Sequence, residues 1–145
     1  MFADFLKRLT QPDPAPLPDE DARLALTALL VRVARSDNQY DAEEAALIDR
    51  IVAGRFGLGP FEASALRKNG EVLESEAPDT VRFTRAIKEA VPFDDRVGVI
   101  EALWQVVLAD GERDDRENAL LRMVAPLLGV SDVESALARQ RVERG

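Results

Sequence analysis

Apolar residues recur along this chain at helical intervals from its first residues to its last. Phe2, Phe5, Leu6 and Leu9 fall at i, i+3, i+4 and i+7 and form one stripe of a short helix. Pro12, Pro14, Pro16 and Pro18 then alternate through a segment that cannot be helical and favours extended polyproline II. Residues 1–18 thus read as a helical arm with a semi-rigid proline-rich spacer, and residues 19–145 as the body.

The body carries seven helical patterns. Asp19, Glu20 and Asp21 load a helix start with the charge its dipole favours. Residues 22–34 that follow are apolar nearly all round, which predicts a central, buried helix. Residues 43–56 keep Leu47, Ile48, Ile51 and Val52 on one stripe, and Gly57 and Gly59 end it. Pro60 suits the first turn of a third helix running to about Glu76, which Gly70 is expected to interrupt. Residues 80–91 form an amphipathic helix closed by Pro92, and residues 97–109 a second nearly all-apolar one. Trp104 lies within that apolar run and is expected in the core. Residues 116–128 and 133–142 complete the set, with no β-branched segment alternating at period two. The expected fold is all-α: about seven helices in two related halves, plus the short N-terminal helix.

The halves are visible as a repeat. Residues 21–53 align with residues 94–126 without a gap, and nine of the 33 pairs are identical. One further residue shifts the register, after which Gly57 matches Gly129 and Glu62 matches Glu134. Helical patterning alone accounts for identical apolar residues. It does not account for the acidic ones, which follow Asp-x-x-x-Asp-x-x-Glu in both copies: Asp37, Asp41 and Glu44, then Asp110, Asp114 and Glu117.

These turns admit two readings. In the first they are caps: Asp41 and Asp114 are N-cap residues, and the glutamate three positions on completes a capping box. Asn38 and Gly111 tolerate the left-handed backbone that follows a helix end. Asp37 and Asp110 fit this reading least well, because negative charge at a helix C-terminus opposes the dipole and needs a partner. In the second reading the six carboxylates ligate a hard divalent cation: calcium, magnesium or manganese. The absence of histidine and cysteine disfavours soft-metal and zinc sites, and the spacing is not that of an EF-hand. Capping and cation binding are compatible.

The segments LADGERDDRENALL and ARSDNQYDAEEAALI, with the LLGVS break before the last helix, resemble the tellurite-resistance protein B-like (TerB-like) domains over roughly residues 20–140. The resemblance implies a seven-helix fold of two related halves with an acidic cluster that binds divalent metal. It also implies a role in bacterial stress and tellurite resistance; a similar domain is fused to some membrane-anchored J-domain co-chaperones. The first copy departs from the pattern, with Ser36 and Asn38 where the second has Ala109 and Gly111.

Composition narrows the chemistry. At 145 residues the chain is one domain's length. Without cysteine or a dinucleotide-binding glycine fingerprint it has no means of reducing tellurite. Tyr40 is its one tyrosine and Trp104 its one tryptophan, so no aromatic platform for sugars accompanies the carboxylates. A net charge of −8 opposes nucleic acid and anionic lipid. No apolar run reaches the roughly 20 residues of a membrane span, and no signal-peptide pattern opens the chain. We therefore expect a cytoplasmic, non-enzymatic domain that binds a divalent cation, a protein partner or both, with no nucleic-acid partner and no stable membrane insertion. The alternative is a purely structural interaction module whose acids are helix caps. The arm's aromatic stripe is expected to pack on protein.

Overall fold

Every element among the described residues is helical, as the periodicity requires. The computed structural model describes residues 2–10, 19–37, 40–109 and 115–144. The arm helix α1 (Ala3–Leu9) precedes seven body helices: α2 (Asp19–Ala34), α3 (Ala42–Phe56), α4 (Pro60–Glu76), α5 (Thr80–Ala90), α6 (Phe93–Leu108), α7 (Asp115–Leu127) and α8 (Asp132–Arg144). A 3-10 turn (Arg35–Asp37) prolongs α2.

A helix without a polar face is stable only when neighbours surround it, and α2 is surrounded by α3, α4, α5, α6 and α7. Its Ala25, Leu29, Val31 and Val33 are wholly buried. The second apolar helix, α6, buries Ile100, Leu103 and Trp104 among α2, α3, α7 and α8. Each fully buried Leu or Ile contributes about 1.5–3 kcal/mol, so these two helices are the core's main source of stability. The arm is docked as its stripe suggests. Phe5 and Leu9 are buried, α1 packs on α5, and the Phe2 backbone N–H donates to Glu76 Oε2 at 3.0 Å.

Two expectations are corrected. Gly70 does not interrupt α4, which is continuous from Pro60 to Glu76. The glycine is there because α4 runs close beside α2: a Cβ at this position would stand 3.0 Å from Thr27 Cγ2 and 3.3 Å from the Ala28 backbone nitrogen. The sixth helix begins at Phe93, four residues earlier than the apolar run suggests. Pro92 is its N-cap, and Asp94 and Asp95 occupy the first turn, where the helix dipole favours them. The aligned Gly57 and Gly129 both take left-handed backbone, with φ of 65° and 74°. Each stops a helix where a side chain would be strained.

Candidate acidic site

Ion pairs between helices position the first acidic turn. α4 runs alongside α2 in the same direction, since Gly70 meets Thr27 and Arg32 Nη2 donates to Glu74 O at 3.2 Å further along. α3 runs the opposite way to α4: Arg67 Nε donates to Asp49 Oδ1 at 2.7 Å, and Tyr40, ahead of α3, donates its hydroxyl to Glu71 Oε2. Arg67 Nη1 also reaches Glu71 Oε2, at 3.0 Å, so this carboxylate joins α4 to the turn. Burial and the Glu71 carboxylate push the Tyr40 phenol well above its ordinary range. The hydrogen bond to Asp49 holds the Arg67 guanidinium still more firmly in its charged form. Arg35 lies 5.3 Å from the Tyr40 ring centroid and pairs with Glu74 at 3.6 Å. Tyr40 is therefore an anchor between the two aspartates of the first turn.

Asp41 is the N-cap of α3, and its Oδ1 accepts from the Glu44 backbone N–H at 2.9 Å. One oxygen of Asp41 is thus committed to capping. Among the described residues its Oδ2 has no hydrogen bond. Glu44 sits in the first turn of α3 and is half-buried. Asp37 closes the 3-10 turn, which packs against α7. Glu117 belongs to the first turn of that helix. The side chains of Asp37 and Glu117 lie outside the described residues, as do Asp110 and Asp114 entirely.

The structure therefore sets the first acidic turn against the helix that follows the second. Among the described residues no three acidic side chains gather into a group that could hold a metal ion. The available donors are all carboxylate or carbonyl oxygens, the set a hard cation prefers. Across its matching span, residues 23–140, the chain fits the family model described as Tellurite resistance protein TerB. The chain belongs to the TerB family. No match is found among curated proteins or solved structures. No helix among the described residues of this TerB-family chain is long and apolar enough to cross a membrane.

Sequence reading missed the basic side of this region. Arg35 and Arg67 flank Tyr40 of the first turn while Arg32 binds carbonyls at the end of α4 and just beyond it, and only Arg67 with Glu71 is legible beforehand, as an i,i+4 pair. It also missed a cleft of about 270 Å³ toward the start of α2. Leu26, Leu30, Val52 and Val99 are among its lining, with Asp94 and Asp95 from α6. Arg23 stands in it 5.2 Å from the Phe56 ring centroid.

Proposed function

We propose that this TerB-family chain is a non-enzymatic domain serving bacterial stress and tellurite resistance. It takes a divalent cation through its two acidic turns and thereby presents a protein-binding surface. The residues that would hold the cation are Asp37, Asp41, Glu44, Asp110, Asp114 and Glu117. The observation that carries this reading is the packing on α7, the helix that follows the second acidic turn, of the 3-10 turn that Asp37 closes. When bound, the cation would neutralise mutually repelling carboxylates and tie the two turns together. A purely structural reading has its own support in the cap at Asp41, whose carboxylate already satisfies an amide that the helix leaves open.

Substitution of the glutamates separates the two. Glutamine serves in a capping box as glutamate does, but it lacks the charge a hard cation requires. Wild-type protein gains thermal stability with millimolar calcium, magnesium or manganese, as linkage demands of a ligand that binds the folded state. Glu44→Gln and Glu117→Gln lose that gain and keep their metal-free melting temperature, with the larger loss at Glu117. No gain in wild type leaves the acidic residues as caps.

A further inference from the structure

Among the described residues the outer face of α4 has no partner within the fold. Phe61 is 93% exposed, and Ala65, Lys68 and Val72 continue its line at helical spacing, all on the solvent side. The opposite face of the helix, with Ala63, Gly70 and Leu73, is buried. A phenylalanine left almost wholly in water does nothing for the core, so folding of the single chain does not account for it.

The charges beside this line are uncommitted as well. Glu62 follows Gly59, an N-cap with no side chain to engage it. The aligned Glu134 is occupied: Ser131 N donates to its Oε1 at 3.2 Å, and Glu134 N donates to Ser131 Oγ at 3.1 Å. Among the described residues neither Glu62 nor Lys68 has an ion pair or a side-chain hydrogen bond. Glu62 stands three residues before Ala65 and Lys68 three residues after it. Opposite charges at equal distances from a small residue are what a two-fold axis through that residue requires, because such an interface uses one patch twice.

We propose that the outer face of α4 docks on the same face of a second copy of this chain, antiparallel, with the two helices crossing at Ala65. In that register Glu62 of each chain comes level with Lys68 of the other, making two equivalent ion pairs. Phe61 of each covers the Lys68 stem and approaches Val72 of the other, and the small Ala65 lets the helices come close. The α8 face is not self-complementary in this way. It exposes Val133 and Leu137, but Gln140 stands where α4 has Lys68, and Glu134 is held in its cap.

Sedimentation velocity of the full chain from micromolar to millimolar concentration tests the proposal. A reversible monomer–dimer equilibrium is expected. Phe61→Ser should weaken it at least tenfold, about 1.4 kcal/mol, without changing the melting temperature of the monomer, since the side chain is exposed. Glu62→Lys and Lys68→Glu should each weaken it, and the double reversal should restore it. A chain that stays monomeric to millimolar concentration overturns the proposal. So does a dimer that survives Phe61→Ser, or one lost instead on Val133→Ser. Failure of the double reversal to restore association overturns the antiparallel register.

Discussion

Two helix contacts at aligned places in the chain are built by opposite means. In the first segment α4 reaches α2 through an absence: Gly70 lets the helices approach until Thr27 Cγ2 stands where a Cβ would meet it. In the second, α8 reaches α6 through a large side chain. Trp104 is buried, donates its indole N–H to Ser135 Oγ at 3.1 Å, and carries the Arg139 guanidinium 5.0 Å from its ring centroid. The residues aligned with Trp104 and Ser135 are Val31 and Ala63, both buried and neither able to make that bond. The residue aligned with Gly70 is Val142. One pattern of helices is thus compatible with a close approach and with a filled gap, and the sequence pays for neither in its hydrophobic periodicity.

Removing the filler is expected to have the largest effect. Trp104→Ala should cost about 3–5 kcal/mol, the range for deleting a buried large aromatic side chain. Trp104→Val installs the residue of the first segment and should keep most of that loss, because α8 stands at a tryptophan's distance. Chemical denaturation measures both. A Trp104→Val protein within about 0.5 kcal/mol of wild type, the range of a neutral surface change, would dissolve the contrast.

Closing the gap from the other side is the next test. Gly70→Ala normally favours a helix by about 1 kcal/mol. Here the new methyl meets the backbone of Ala28, which cannot step aside. It also meets Thr27 Cγ2, on a side chain whose hydroxyl donates to Arg23 O at 2.7 Å. Overpacking of this kind costs about 1–3 kcal/mol, so the substitution should destabilise in spite of its propensity, and Gly70→Val more so. A Gly70→Ala protein more stable than wild type would show that α4 can draw back from α2 freely.

Periodicity made the helices legible because a buried stripe must repeat with the helix. The all-α fold, the apolar α2 and α6 and the aligned glycine breaks at Gly57 and Gly129 follow from the chain itself, whereas the left-handed backbone of those two glycines is read from the structure. The start of α6 did not, because Phe93 to Arg96 are set by a cap and a dipole and extend the helix beyond its apolar run. Gly70 was misread for a related reason. Its meaning lies in a helix 43 residues away in sequence, and no local rule reports that. At the acidic turn Asp41 was legible as a cap, since capping is local. The clamp of Arg35, Tyr40, Arg67 and Glu71 brings together residues from the turn and α4, and only the i,i+4 pair within α4 leaves a trace in sequence.

The smallest expected effect concerns the caps of the two third helices. Ser131 and Glu134 cap α8 reciprocally, whereas Gly59 precedes α4 with no side chain to offer. The Gly59 backbone is extended, with φ −73° and ψ 169°, a conformation serine adopts without strain. A Cβ there would meet only Glu62 Oε1, at an ordinary 3.7 Å. Gly59→Ser should therefore stabilise the chain by a few tenths of a kcal/mol, the usual difference between the two residues at an N-cap. Ser131→Gly should lose a similar amount. The installed serine would also draw Glu62 back toward the backbone, as Glu134 is drawn in α8. That carboxylate would then be less available to Lys68 of a second copy. Gly59→Ser should thus raise the melting temperature of the monomer slightly and weaken self-association together, although the substituted residue lies outside the exposed line of α4. If association is unchanged while the cap forms, Glu62 holds no ion pair across the two-fold axis, and the contrast between the two caps is one of local stability alone.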